Sequence, residues 1–382
     1  MRGGLPWVYA ADVVKHEGDD EDICTLADRR GALGSALWSA KSPIPVRVLD
    51  RAPEPVVLDA AFFESRLRAS IERRRTDGYI ATGESAERLV HAEADALPGL
   101  VVDRYADVVV LQSTTAAIDR REALIAELLL ALTGARLVVA RDDGSAREME
   151  GLPRRTGILL GTGATSVRYR DAGSLVEVDV LADGKTGGYL DQVANHEVAG
   201  RYARGDCLDA FSYHGGFALA LARGGATSVL ALDESPAATT RITANAARNG
   251  YTQLAVETAN AFDRLRALES EGRRFHSVVV DPPALAKRRG KGREGIEPAL
   301  RAYKELNLRA LRLLHPGGTL VTCSCSGRIS IAIFGEMLES AARDAGRTVQ
   351  LLERRGAGSD HPVLVGVPET EYLKAFVLRV IR

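Results

Sequence analysis

The 382-residue chain has little cysteine, and the cysteine it has is not arranged as a scaffold. Its four cysteines are too few and too scattered for a disulfide framework at this length. None of them shows the Cys-x-x-Cys or Cys/His spacing of a zinc site, so no metal is expected. The sequence therefore predicts free thiols in a reducing compartment.

A long apolar run and an excess of one charge are also missing. No stretch is apolar enough to span a bilayer, and the start, MRGGLPWVYAADV, lacks the apolar core and cleavage site of a secretory signal. These absences predict a cytoplasmic protein without a membrane partner. A formal net charge of −1 disfavours a protein that coats nucleic acid unspecifically, although it permits a local basic surface.

The composition is that of a globular protein, with 46% hydrophobic and 26% charged residues, and the length suits two or three domains. Short apolar runs punctuated by glycine and proline predict a small β domain or barrel over residues 1–58. Residues 59–180 predict a linking helix, with Phe62, Leu67 and Ile71 on one side, followed by an α+β domain. The remainder, 181–382, forms the third predicted domain.

In the third domain, apolar strand cores alternate with helical segments, a pattern typical of a doubly wound parallel sheet and an α/β fold. Ligands of such sheets bind beyond the carboxyl ends of the strands. Five candidate side chains fall at these ends: Asp209, Asp233, Asn260, Asp281 and Cys325. Their convergence is stronger evidence for a site than any one of them alone.

The segment LDAFSYHGG places Asp209 at a strand end, followed by Gly215 and Gly216 at a helix start. Glycine lets the backbone approach a ligand closely. The G-x-G-x-x-G spacing of a pyrophosphate loop is absent, so the segment suits an adenosyl cofactor and argues against a nicotinamide oxidoreductase.

Two further side chains have a functional and a structural interpretation. Asp233 can accept from ribose hydroxyls or cap the next helix, since Ser235-Pro236 resembles a helix start. Given the loop before it, we favour ribose contact. Asn260 could contact the adenine edge or form a turn, and the sequence does not favour either interpretation.

Asp281-Pro282-Pro283 follows a strand, and its stiff backbone and acidic side chain could face a flat ring. A protonated carboxyl there can hydrogen-bond N3 of cytosine and make C6 electrophilic. A thiolate added to C6 then makes C5 nucleophilic toward a methylsulfonium. Of two alternating cysteines, Cys325 lies further beyond the strand end than Cys323, so we favour Cys325 as the nucleophile. The alternative is that both are buried core cysteines.

Two basic clusters could contact RNA. Lys287, Arg288 and Arg289 directly follow the Asp-Pro-Pro segment, which favours contact with RNA phosphates. The arginines between Arg66 and Arg75 are better explained as a solvated helix face.

Together these motifs resemble the S-adenosylmethionine-dependent 23S rRNA 5-methylcytosine methyltransferases of the large-subunit methyltransferase I type. PWVYAADV and SPIPVRVL look like that family's N-terminal PUA domain, an RNA-binding β-barrel. LVHAEADALPGLVVDRYADVVVLQ looks like its central domain, KTGGYLDQVANH like a hairpin leading to the catalytic domain, and DHPVLVGVPETEYLKAFVLRV like its C-terminal strands.

The resemblance implies S-adenosyl-L-methionine as cofactor and 23S rRNA as partner. It implies a cofactor site lined by Asp209, Phe211, Tyr213, Gly215, Gly216, Asp233, Asn260 and Asp281, which Gln192 and Tyr189 would close. It also implies catalysis by Cys325, with Asp281 on the base.

This chain departs from the family in three places. Ala284 stands where other RNA 5-methylcytosine enzymes have a cysteine after Pro-Pro, so the base that removes the C5 proton is unassigned. Val193 and His196 stand where the family has arginines, and the first PUA strand is missing before PWV, through an incomplete barrel or a start codon placed too late. Two other functions stay open: methylation of a base nitrogen in rRNA, and a non-catalytic RNA-binding assembly factor. The target nucleotide and the oligomeric state, a homodimer included, are also open.

Overall fold

The computed structural model describes residues 5–17, 22–52, 54–80, 83–286 and 295–382. The chain divides into two compact units. The first contains residues 1–169, 178–190 and 359–368, and the second contains residues 170–177, 191–358 and 369–382. In the described residues, no helix is both long enough and apolar enough to cross a membrane.

The N-terminal strands form a four-stranded antiparallel sheet with the order β1-β4-β3-β2. They are β1 (Trp7–Val8), β2 (Ile23–Asp28), β3 (Gly31–Trp38) and β4 (Val46–Asp50), with a 3₁₀ turn at Ala10–Asp12. Gly34 has a φ of +133°, and a Cβ there would lie 2.1 Å from the carbonyl oxygen of Asp50. Only glycine fits this close approach of two strands.

Helix α1 (Ala60–Thr76) begins at Asp59, whose carboxylate accepts from the backbone N–H of Phe62 at 2.9 Å. The helix buries a stripe at four-residue intervals, namely Phe63, Leu67 and Ile71. Phe63 is the fully buried residue in register with the other two, and the predicted Phe62 is half-buried and packs against the same core. The guanidinium group of Arg66 lies over the Phe62 ring.

The basic cluster on α1 is a helix face, as predicted, but part of it is not solvated. Arg74 is 3% exposed and forms two hydrogen bonds to Asp95, of 2.6 and 2.7 Å. Arg73 binds the same carboxylate at 2.7 Å, and Arg66 binds Asp50 at 2.9 Å. These arginines hold α1 within the first unit.

A five-stranded sheet with the order β5-β6-β7-β8-β9 completes the core of the first unit, and only the β7–β8 pairing is parallel. Its strands are β5 (Ala86–His91), β6 (Leu100–Tyr105), β7 (Val108–Ser113), β8 (Leu137–Asp142) and β9 (Arg155–Gly161). Its helices are α2 (Ala116–Asp119), α3 (Glu122–Thr133) and α4 (Ala146–Met149), with a 3₁₀ turn at Ala92–Asp95. Gly134 ends α3 with a φ of 65°, in the left-handed region that favours glycine.

The next strands, β10 (Ser166–Asp171) and β11 (Ser174–Asp179), form a two-stranded sheet. The assignment of DQVANH to a hairpin was wrong. Leu190–Gln192 is a 3₁₀ turn, and Val193 begins helix α5 (Val193–Arg201). Helical periodicity explains the difference, since Val198 and Ala199 are both buried on one side of α5.

A seven-stranded sheet forms the second unit, with the order β14-β13-β12-β15-β16-β18-β17. Its first five members in that order are parallel, and β18 runs antiparallel to both of its neighbours. The strands are β12 (Asp206–Ala210), β13 (Ser228–Asp233), β14 (Leu254–Thr258), β15 (Phe275–Val280), β16 (Leu314–Ser324), β17 (Val349–Arg355) and β18 (Lys374–Val380). The predicted mainly parallel sheet is confirmed.

Helices separate these strands along the chain, as predicted. They are α6 (Gly216–Arg223), α7 (Pro236–Arg248), α8 (Ala261–Ser270), α9 (Glu297–Arg312) and α10 (Ile331–Asp344), with a last 3₁₀ turn at Pro368–Thr370. The strand order reverses between β12 and β15, which are neighbours in the sheet but not in the chain. Such a switch point opens a crevice at the carboxyl ends of the strands.

Candidate active site

The loop between β12 and α6 has an unusual backbone. Phe211, Tyr213 and Gly215 have φ values of 69°, 50° and 91°, in the left-handed region. Glycine adopts this region readily, but aromatic residues such as Phe211 and Tyr213 rarely do. The loop is held there by its neighbours. The N–H of Ser212 donates to the carbonyl of Leu232 at 2.8 Å, and the Tyr213 ring stacks on His214 with centroids 3.7 Å apart. Such strain is concentrated at functional sites.

Asp209 lies beneath this loop, fully buried at the end of β12. Its carboxyl accepts a hydrogen bond from the hydroxyl of Ser212. Burial raises the pKa of Asp209 to about 7, and the charge of Asp281 acts in the same direction. Asp209 is therefore an acid whose charge state changes near neutral pH.

Gly216, the first residue of α6, meets a side chain that the sequence gave no reason to expect. A Cβ there would lie 2.3 Å from Cε1 of His196. The His196 ring also packs edge-on against Phe217 at 4.4 Å, and its Nδ1 lies 2.7 Å from Oδ1 of Asp171. Thus the second glycine of the pair is required by packing against His196, whatever it does for a ligand.

His196 is a buried imidazole paired with a carboxylate. Burial opposes its protonation, but the Asp171 carboxylate, helped by Asp281 and Asp209, outweighs this effect and raises the pKa of His196. At this departure from the family the site therefore favours the protonated form of the side chain. Local sequence gave no signal for it, because its partner lies on β10.

Asp233 closes the strained loop from the neighbouring strand. Its Oδ2 accepts from the N–H of Tyr213 at 2.8 Å, and its Oδ1 accepts from the N–H of Ser235 at 2.9 Å. Ser235 caps α7 with its own hydroxyl, and Pro236 is the first helical residue, as the sequence predicted. Asp233 is thus not the helix cap. Carboxylate oxygens accept several bonds each, so ribose contact stays a prediction.

Asn260 has a structural role. Its side-chain oxygen accepts from the N–H groups of Phe262 and Asp263, at 3.0 and 3.4 Å, which makes it the cap of α8. Its Nδ2 donates to Glu234 at 3.4 Å. Contact with an adenine edge stays a prediction for this exposed residue.

Asp281 follows β15 and is oriented by a chain of amides. Nε2 of Gln192 donates to its Oδ2 at 2.9 Å, and Nδ2 of Asn195 donates to Oε1 of Gln192 at 2.7 Å. Arg355 in turn donates to Asn195 at 3.0 Å. Gln192, expected to close the cofactor site, therefore fixes the acidic side chain of the Asp-Pro-Pro segment. Tyr189 belongs to the first unit, where the ammonium of Lys185 lies 4.1 Å from its ring centroid.

The two thiols at the end of β16 differ as predicted. Cys323 is fully buried in the core, and burial raises its pKa well above the usual value. Cys325 is the first residue after β16, is only half-buried and is not in a disulfide. Cys207 is likewise fully buried in the core.

A lysine beside Cys325 was missed by the sequence reasoning. Lys374 is 1% exposed and begins β18, where it pairs with Ser324 of β16. Its Nζ donates to the carbonyl of Ser326 at 2.7 Å. The signal available in the sequence was a lysine at the start of the apolar strand KAFVLRV, which is an unusual place for a charge.

The predicted RNA contacts Lys287, Arg288 and Arg289 lie outside the described residues. Ala284 is exposed, and so is Pro283 before it.

The structure brings Asp209, Asp233, Asp281 and Cys325 to one edge of one sheet.

The donor set at this edge fits an adenosyl sulfonium. Asp233 offers a carboxylate for vicinal hydroxyl groups, and the N–H groups at the start of α6 suit a carboxylate. The buried Asp209, when ionised, offers negative charge for a sulfonium cation. Three groups at this edge thus match three parts of one cofactor.

Comparisons with known proteins agree with this chemistry. The family described as S-adenosylmethionine-dependent methyltransferase matches residues 158–379, and a PUA-like domain matches residues 1–51. A structure of SMU.776 complexed with SAH superposes with a TM-score of 0.84 at 19% identity, over 99% of this chain and 96% of that chain. A Streptococcus mutans SAM-dependent methyltransferase gives 0.82 at 18% identity, over 99% and 96% of the two chains. These likenesses show a shared fold.

Relatives with closer sequences carry one name. A protein of Shewanella amazonensis named ribosomal RNA large subunit methyltransferase I is 37% identical, over 98% of this chain and 95% of its own length. Its namesake from Vibrio cholerae is 34% identical, over 100% and 96%. The chain therefore belongs to the S-adenosylmethionine-dependent methyltransferases, in the family of the relatives named ribosomal RNA large subunit methyltransferase I.

Proposed function

We propose that this protein methylates C5 of a cytosine in 23S ribosomal RNA, with Cys325 as the covalent nucleophile. The observation that carries the proposal is the pair of thiols at the end of β16. One is sealed in the core, whereas Cys325 is half-buried at the sheet edge that holds Asp281. The relatives' name supplies the class of RNA.

S-adenosylmethionine, when bound, supplies an electrophilic methyl group. In this proposal the residues that hold it are Asp209, Phe211, Tyr213, Gly215, Gly216, Asp233, Asn260, Asp281 and Gln192. The strained loop and the amide chain fix these groups before any ligand arrives, which lowers the cost of binding.

The chain's own residues activate the base. Asp281, held by Gln192, donates from its protonated carboxyl to N3 and withdraws electron density from the ring. The Cys325 thiolate forms a bond to C6, the C5–C6 double bond opens, and C5 becomes the nucleophile. After methylation, loss of the C5 proton returns an electron pair to the ring and expels the thiolate. Cys325 thus begins and ends the cycle as a thiolate.

The proposal also assigns a role to each of the three predicted domains. Residues 1–58 would bind RNA as the PUA-like domain, 59–180 would form the central domain, and 181–382 would catalyse. Lys287, Arg288 and Arg289, which follow the Asp-Pro-Pro segment in sequence, would contact RNA phosphates and add a salt-dependent part to the affinity.

The experiment that tests the chemistry is trapping on 23S rRNA fragments that contain 5-fluorocytosine. Fluorine at C5 blocks proton loss, so the enzyme stays bonded to C6 as a stable adduct. We expect the wild-type adduct on denaturing gels, and no adduct with Cys325→Ala, which should still bind S-adenosylmethionine in calorimetry.

The matched control is Cys323→Ala, which removes a thiol from the same strand. It should lose stability through a core cavity but should still form the adduct. Methylation by Cys325→Ala at the wild-type rate would exclude the covalent mechanism. Methylation of a nitrogen atom without trapping would favour the alternative enzyme, and no cofactor binding would favour an RNA-binding assembly factor.

A further inference from the structure

Lys374 is a buried cation that the mechanism above does not use. It begins β18, an inner strand of the sheet, and it is 1% exposed. Removing an ammonium group from water costs several kcal/mol unless neighbouring groups compensate. A lysine at this position therefore needs a reason beyond packing.

The hydrogen bonds of Lys374 direct its charge at the peptide that follows Cys325. Its Nζ donates to the carbonyl of Ser326 at 2.7 Å and to the carbonyl of Tyr372 at 2.7 Å. Ser326 is itself fixed, because its hydroxyl lies 3.0 Å from that of Tyr303. Both hydrogen-bond partners are neutral carbonyl groups, so neither removes the charge of the ammonium, which is held at the residue that follows Cys325.

The electrostatic environment agrees with this geometry. Burial lowers the pKa of Lys374 to about 8, and the negative charges of a Cys325 thiolate and of Glu371 oppose that shift. Tyr303 and Cys323 also interact electrostatically with Cys325. Burial raises the pKa of both, so they stay neutral at pH 7. Among these groups Lys374 supplies the positive charge.

We infer that Lys374 is a positioning residue that stabilises Cys325 as a thiolate and holds the Cys325–Ser326 peptide at the sheet edge. The inference rests on the proposed role of Cys325. When the thiol ionises, its proton passes to solvent and its electron pair stays on sulfur, while Lys374 keeps its own proton. The nearby cation lowers the free energy of the anionic state.

Alkylation of the full-length protein with iodoacetamide between pH 5.5 and 10 tests the inference. Cys323 and Cys325 fall in one tryptic peptide, so fragment mass spectrometry assigns the adduct to one of them. We expect a wild-type midpoint below the value of about 8.5 for a free thiol. Lys374→Met should raise the midpoint and slow alkylation at pH 7 by about tenfold for each unit of increase. Lys374→Arg, which keeps the charge, should keep most of the rate.

Tyr303→Phe is the matched control, because it removes a hydrogen bond to the same Ser326 without changing charge. It should leave the midpoint of Cys325 near that of the wild type. A folded Lys374→Met protein with an unchanged midpoint would overturn the inference. If that variant does not fold, a wild-type midpoint at or above that of a free thiol would overturn it.

The two proposals fail separately. Alkylation reports the charge on sulfur without RNA or cofactor, whereas trapping on 5-fluorocytosine reports the bond to C6. A midpoint that depends on Lys374 together with failed trapping would refute the proposed function alone. Successful trapping together with a midpoint indifferent to Lys374 would refute the positioning role alone.

Discussion

Replacement of Gly216 by alanine should destabilise the catalytic unit. An added Cβ would lie 2.3 Å from Cε1, 2.7 Å from Nε2 and 2.8 Å from Nδ1 of His196. The ring cannot yield easily, because Asp171 holds Nδ1 at 2.7 Å and the ring packs edge-on against Phe217 with centroids 4.4 Å apart. The substitution must therefore move either the ring or helix α6.

Both movements cost free energy. Displacing the ring breaks a buried charged pair, which costs about 3–5 kcal/mol when one partner is left alone. Shifting the helix start to accept one methyl group costs about 1–3 kcal/mol, and alanine returns up to about 1 kcal/mol through helix propensity. The cheaper route leaves a net loss of up to about 3 kcal/mol, with a central value of about 1.5 kcal/mol. For a unit of this size a loss of about 1.5 kcal/mol lowers Tm by roughly 3–6 °C.

The assay is thermal unfolding followed by circular dichroism, with and without S-adenosylmethionine. A ligand stabilises only the unit that binds it, so the transition that shifts with cofactor belongs to the catalytic unit. The control is Gly335→Ala within α10, where the nearest atom to the new Cβ is 4.0 Å away on Phe376. It should raise Tm, because it gains propensity without a clash. Equal Tm values for Gly216→Ala and Gly335→Ala would refute the reasoning, as would a Gly216→Ala loss that is undiminished in a His196→Ala background.

Three further results are expected. Because the pKa of His196 is raised on folding, its ion pair with Asp171 stabilises the folded protein below about pH 6.5, and this stabilisation is lost as the pH rises through the folded pKa. Asp171→Asn should therefore lower Tm more at pH 6 than at pH 9. An equal loss of Tm at both pH values would contradict the pairing. Asn260→Ser keeps a capping oxygen but loses the amide, so calorimetry should show weaker cofactor binding at unchanged Tm if the amide contacts adenine, and unchanged binding if it only caps. Arg74→Met leaves the Asp95 carboxylate buried without its main partner, and should cost about 3–5 kcal/mol in urea unfolding, far more than Arg68→Met on the exposed side of α1.

The parts of the site that the sequence predicts are those whose position follows from a strand end. Asp209, Asp233, Asp281 and Cys325 each lie at or directly after the last residues of an apolar run. Parallel strands place such residues at one edge, so one rule of sheet topology was sufficient. The preference for Cys325 over Cys323 came from the same rule, because Cys325 lies beyond the end of β16 whereas Cys323 lies within it.

The parts that sequence could not predict depend on contacts between distant segments. The raised pKa of His196 is explained only once Asp171, on β10, is placed against the ring. The strained backbone of Phe211 and Tyr213 depends on Leu232 and Asp233 of the next strand. No local propensity encodes such pairings, because tertiary contacts fix them.

The pairing of Lys374 with Ser324 follows from the topology of the sheet. In a wholly parallel sheet, the edge that binds ligands collects only the carboxyl ends of strands. Here β18 runs antiparallel between β16 and β17, so its first residue, and not its last, lies at that edge beside Ser324. The ammonium group of Lys374, at the start of β18, therefore lies at the end of β16, and Cys325 is the residue that follows β16. The antiparallel strand β18 thus places a positive charge at an edge where the parallel strands place only their carboxyl ends. A search for catalytic groups in this fold should therefore include the first residues of the antiparallel strand.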